Sequence, residues 1–147
     1  FGYGFLTYSG DSLIVATTHA GVLDSEKQDD QFDPVWHTHY VQLTSSSLCG
    51  PSTPFGPLQV ANLSFEEPGK VKVKKQTNLF FEDMPASFSG TNALNASAAT
   101  WTPTTNATTA VQFELRPIDG ANNTSLEFAE VCVENVVPYT LPFPATP

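Results

Sequence analysis

The chain has 147 residues, 40% hydrophobic and 12% aromatic, a size that supports one well-buried core and excludes two ordinary domains. Fifteen acidic residues against six basic ones give a formal net charge of -9 and a pI near 4.5. That balance repels phosphate backbones and anionic lipid, and so speaks against nucleic acid or a polybasic membrane contact.

Residues 1–8 space aromatic and apolar side chains with glycine, and 12–19 form a β-branched run, which predicts strand, turn at Gly10-Asp11, strand. Residues 20–34 carry Asp24, Glu26, Asp29, Asp30 and Asp33 with little apolar content and read as a solvated acidic loop or a short helical turn. Residues 35–43 are the next expected strand, and 45–57, dense in Ser, Pro and Gly, the next loop. The strand over 58–65 is expected to place Ala61, Leu63 and Phe65 on one face. Glu67-Pro68-Gly69-Lys70 suits a type II turn with Gly69 at the positive-φ position, so 70–74 should return as the second arm of a hairpin, its lysines in solvent.

Residues 79–81 are a short apolar run, 84–88 an extended connector, and 91–109 a Thr/Ala/Asn tract with Trp101 as its single aromatic residue. Residues 110–115 and 126–137 alternate apolar with polar side chains around a turn at Asp119-Gly120, and 138–147 form a proline-rich tail. About eight short strands with no βαβ rhythm predict an all-β chain. The expected architecture is a single β-sandwich of immunoglobulin-like, Greek-key type over 1–147, with extended termini.

Charged residues are only 14% of the chain, so solubility rests on abundant Ser, Thr and Asn, an extracellular style of surface. Cys49 and Cys132 lie far apart and outside any C-x-x-C pair, which favours a disulfide over a redox or zinc-ribbon motif. Closing so long a loop contributes roughly 4 to 5 kcal/mol in the chain-entropy model. Asn-x-Ser/Thr acceptors stand at Asn62, Asn95, Asn106, Asn122 and Asn123, five of eight asparagines, and point to N-glycosylation in a eukaryote or an archaeon. No charged start followed by an apolar run is present and no stretch approaches a membrane span, so the expected setting is secreted, with Phe1 read as a mature N-terminus.

All three histidines fall within residues 19–39: His19, then His37 and His39 in Trp36-His37-Thr38-His39-Tyr40. Alternation along a strand puts His37 and His39 on one face about 7 Å apart. His19 could join them from an adjacent strand, forming a three-nitrogen set of the kind zinc and copper use. The competing reading is a pair of imidazoles hydrogen-bonded along a strand face.

The His-x-His strand resembles that of α-carbonic anhydrases, cupins and copper/zinc superoxide dismutases. The chain departs from each of them. Gln42-Leu43-Thr44 lacks the cupin acid, there are too few histidines for the dismutase site, and the length is far short of an α-carbonic anhydrase. A blue-copper reading fails because no histidine follows Cys132. The stretches from Ala16 to Glu26 and from Asp33 to Val41 resemble ones in uncharacterised secreted proteins of archaea. That resemblance covers mainly the first third of the chain and implies an archaeal, extracellular setting.

Two surface features suggest association. Phe1, Tyr3 and Phe5 make residues 1–10 an aromatic strand that needs a groove, either in its own sheet or in a neighbouring copy by strand donation, which builds filaments when it does not close. Lys70, Lys72, Lys74 and Lys75 gather four of the six basic residues on one hairpin, facing either an acidic loop of another copy or simply solvent as guards against edge pairing. No phosphate loop, Gly-x-Ser-x-Gly elbow or dinucleotide fingerprint occurs. The sequence thus reads as a non-enzymatic extracellular assembly protein with a metal site. The rival is a monomeric copper- or zinc-dependent enzyme or metal carrier using the same histidines.

Overall fold

The computed structural model describes residues 2–7, 12–17, 36–50, 56–75, 78–103, 107–117 and 131–138. Ten strands are found there: β1 (Gly2–Thr7), β2 (Ser12–Thr17), β3 (His37–Ser45), β4 (Leu58–Leu63), β5 (Lys70–Lys74), β6 (Asn78–Glu82), β7 (Phe88–Thr91), β8 (Ala98–Trp101), β9 (Ala107–Pro117) and β10 (Val131–Pro138). Six close into an antiparallel barrel in the order β1-β2-β3-β4-β10-β9, while β5-β6 and β7-β8 are separate two-stranded sheets. The expected β-sandwich of about eight strands is therefore incorrect. Period-two alternation marks one buried face per strand equally well in a sandwich and in a barrel. Only the pairing of β1 with β9, and of β10 with β4, closes the sheet.

Inside the barrel the side chains stack in levels. Gly2 pairs with both Thr17 and Phe113, and Thr17 pairs with His37, so these four share one level. Gly4, Val15, His39 and Val111 make the next, and Leu6, Leu13, Val41 and Leu63 the one after. The glycines of β1 face inward because there is no room for more: a Cβ on Gly2 would lie 2.6 Å from the Phe113 ring. On Gly4 it would lie 2.4 Å from the Ile14 carbonyl oxygen. The aromatic residues of the same strand face outward, half-buried, Tyr3 against Trp36 and Phe5 edge-on against Phe81 at 5.3 Å between ring centroids.

Two bulges set the register. Opposite the Gln42-Leu43 step of β3, β4 advances from Asn62 to Val60, so Ala61 is the extra residue. The expected face of Ala61, Leu63 and Phe65 is thereby broken: Leu58, Val60 and Leu63 all enter the core and Ala61 is exposed. In β10 the second bulge falls between Glu134 and Val137, where Asn135 takes a φ of 50°. The expected hairpin around Pro68-Gly69 is absent too, since β5 pairs with β6 and not with β4. Gly69 does not take the positive φ of such a turn; it is needed for a close approach, because a Cβ there would press on the Met84 sulfur.

The seam between β4 and β10 is short, with pairs only at Cys132–Gln59 and Val133–Leu58. The Cys49–Cys132 disulfide straps it, Cα to Cα 5.5 Å, from the loop between β3 and β4. Beside it, Glu134 accepts from the Gly50 N–H at 3.1 Å and from the Arg116 guanidinium at 2.6 and 2.9 Å. No helix among the described residues is long and apolar enough to cross a membrane. The acidic segment 20–34, the turn at Asp119-Gly120 and residues 139–147 of the tail lie outside the described residues, while Pro138 ends β10.

Candidate functional site

His37 and His39 sit on the inward face of β3, 1% and 2% exposed. Their rings meet edge to face with centroids 4.7 Å apart, inside the roughly 7 Å spacing that strand geometry sets for their Cα atoms. Thr17 and Val15 stand opposite them on β2.

The local course of β4 explains His39. At Ser64 the chain leaves β3 and turns outward: Ser64 bridges Asn92, and the Phe65 and Ala93 N–H groups donate to Thr91 and Leu63 carbonyls. The Ser64 N–H and Oγ still hold β3, through the Tyr40 carbonyl at 2.9 Å and the Tyr40 N–H at 3.0 Å. Its carbonyl oxygen takes the His39 imidazole, with Nδ1 2.6 Å away. A carbonyl only accepts, so Nδ1 carries the proton, and in the neutral ring Nε2 carries the lone pair. This is the arrangement by which backbone carbonyls orient metal-binding histidines, and it also satisfies a buried polar group at a point where strand pairing stops.

His19 lies outside the described residues, two positions after Thr17, the partner of His37. Among the described residues no group of three or more His, Cys, Asp or Glu side chains is gathered as for a metal ion. The structure thus brings two of the three expected nitrogen ligands together and leaves the third undescribed.

The outward face of β3 is covered as well. Tyr40, 1% exposed, donates its hydroxyl to the Pro85 carbonyl at 2.5 Å and meets the Phe88 ring edge-on, and burial pushes its phenol pKa up. Phe88 continues to Trp101, whose indole N–H donates to the Asn62 side-chain oxygen. Partial burial pulls the Glu66 carboxyl upward, but hydrogen bonds from the Thr91 N–H and hydroxyl at 2.7 and 2.8 Å outweigh it and hold the pKa below the usual carboxylate range. These contacts clip β7-β8 onto the barrel.

The lysine hairpin stands apart from that cover. Lys70, Lys72, Lys74 and Lys75 are exposed, as is Val73 at 46%. Lys72 pairs with Glu82 at 2.7 Å, and Lys74 lies 4.8 Å from the Phe80 ring centroid. Of the expected assembly residues, Tyr3 and Phe5 are on β1, paired on both edges within its own barrel, and Phe1 lies outside the described residues. Of the acceptor asparagines, Asn62 and Asn95 are described, and Asn106, Asn122 and Asn123 are not.

Sequence reasoning missed Ser64 and Glu134. Ser64 reads as the third residue of the Asn62 acceptor triplet, and nothing in the sequence marks it as the splice between barrel and outer sheet. The chain matches no family model, no curated protein and no solved structure.

Proposed function

We propose that the chain is an extracellular, disulfide-clamped structural module that assembles with copies of itself at a cell surface, the lysine hairpin of one copy meeting an acidic region of the next. The concentration of lysine on one strand carries this reading. In a chain of net charge -9, three lysines stand exposed on β5, a strand whose one ladder partner among the described residues is β6. Complementary charge steers and registers a contact between copies, and the sequence of segment 24–33 supplies five acids. Because β1 is already paired on both edges, contact through the outer hairpin replaces strand donation.

Sedimentation velocity across salt concentration tests it. Association should weaken as ionic strength rises, since exposed charges are screened beyond about 8 to 10 Å near 0.1 M salt. The Lys70→Glu/Lys72→Glu/Lys74→Glu variant should be a monomer. A wild-type chain that stays monomeric at low salt and high concentration ends the proposal.

The orientation of His39 favours a second reading, in which copper or zinc binds at His37 and His39 with His19 as the third nitrogen. The protein would then be a metal carrier, or an enzyme with an open coordination position. Elemental analysis of protein purified without chelators should give one equivalent of metal. X-ray absorption should show nitrogen neighbours at about 2.0 Å for zinc, and this reports on the wild-type chain, so it does not depend on whether a His37→Ala/His39→Ala variant folds. Metal-free native protein removes this reading.

A further inference from the structure

The two described acceptor triplets are held in opposite ways, and we infer that Asn95 is a glycosylated residue whereas Asn62 is a structural one that carries no glycan. The inference rests on the extracellular reading above.

Asn95-Ala96-Ser97 lies in the connection between β7 and β8, and all three residues are exposed. The connection is pinned from below. Asn92, 5% exposed, accepts on its side-chain oxygen from the Leu63 and Leu94 N–H groups at 3.3 and 3.0 Å, and its backbone accepts from Ala96 and donates to Ser97. Ala96 takes a φ of 58°, which turns the triplet tightly. The Asn95 side-chain oxygen accepts from both the Ser97 N–H at 3.0 Å and the Ser97 hydroxyl at 2.5 Å. Both interactions use Oδ1. Among the described residues Nδ2, the atom that bears an N-linked glycan, is not engaged by the turn.

At Asn62 both ends of the carboxamide are engaged. Nδ2 donates to the Gln42 side-chain oxygen at 2.8 Å, and Oδ1 accepts from the indole of Trp101, a residue only 5% exposed. The triplet's Ser64 is 0% exposed, its hydroxyl bound to the Tyr40 N–H. A sugar on Nδ2 would displace the Gln42 oxygen and pull on a carboxamide whose other end holds Trp101. Losing the Trp101 contact would then leave a buried indole N–H without its acceptor.

The modification is glycosyl transfer from a lipid-linked oligosaccharide diphosphate. The C1–O bond to the diphosphate breaks, a C1–Nδ2 bond forms, the lipid diphosphate leaves, and Nδ2 gives up one proton. No oxidant or reductant is required.

The test is intact-mass and glycopeptide analysis of the full chain secreted by cells that possess an oligosaccharyl transferase. Asn95 should carry a glycan, and Asn95→Gln should lose one glycan mass with its melting temperature little changed. Asn62→Gln should keep the same number of glycans and melt at a lower temperature. An unmodified Asn95, or a glycan on Asn62, overturns the inference. Where Asn106, Asn122 or Asn123 carries glycan and Asn95 does not, the assignment alone has failed; where every acceptor is bare, the extracellular reading fails with it.

Discussion

The barrel closes at two seams, and they are built differently. Where β1 meets β9, six residue pairs run from Gly2–Phe113 to Thr7–Ala107. Where β4 meets β10, two pairs suffice, and a disulfide, the Gly50–Glu134 bond and the Arg116–Glu134 pair hold the neighbouring loop to β10. A long ladder distributes its stability over backbone bonds and the side-chain layers beneath them. The short seam relies on a covalent link that acts mainly by restricting the unfolded chain.

The comparison can be broken from either side. On the ladder seam the largest effect is expected for Phe113→Ala, which empties the level shared with Gly2, Thr17 and His37; by calorimetry it should cost about 3 to 5 kcal/mol. On the covalent seam, Cys49→Ala/Cys132→Ala should cost about 2 to 5 kcal/mol. Hydrogen exchange should then speed up at Leu58, Gln59, position 132 and Val133 well before the β1–β9 pairs are affected. Equal acceleration at both seams would show that the disulfide has no local role.

A smaller effect sharpens the picture of β1. Gly4→Ala places a methyl against the Ile14 backbone carbonyl, which cannot rotate away, and overpacking of this kind costs about 1 to 3 kcal/mol. Chemical denaturation reads it directly, and a neutral result would mean β1 lies further from β2 than described.

Acid should act on the short seam next. The Arg116 guanidinium and then the Gly50 N–H hold Glu134 below the usual carboxylate pKa. A folded pKa below the unfolded value means the contribution is present above the unfolded pKa and is lost as pH falls through the folded one. Stability of the loop at Gly50 should therefore decline only on the acid side of the ordinary glutamate range, and Glu134→Gln should remove that acid-side decline. The smallest effect is expected from Lys72→Ala, whose partner Glu82 is a surface group: the melting temperature should not change measurably, while salt-dependent association, if the hairpin mediates it, should weaken.

Much of the local structure was legible. The β-branched runs, the alternation over 110–115 and the lysines facing solvent on β5 follow from period-two patterning, and the two cysteines pair as their isolation from other motifs suggested; of the alternation expected over 126–137, the described residues 131–133 are buried in succession. What was not legible has specific causes. Ala61 looks like a core position until the bulge shifts β4 by one residue. Gly69 looks like a turn residue until Met84 is seen to press against it. The adjacency of His37 and His39 could be read from spacing, yet the orientation of His39 depends on a buried Ser64 carbonyl presented where β4 departs from β3.

By itself the sequence determined the all-β class, the strand segments other than β7 and β8, and the chemistry available to each face, because these depend on side-chain alternation, turn residues and charge within a few positions. Tertiary structure alone decided the barrel over the sandwich, which glycines open space for neighbours, and which asparagine amides are tied into the fold. Each of those outcomes depends on pairing between segments distant in the chain, and a local pattern carries no information about its partner.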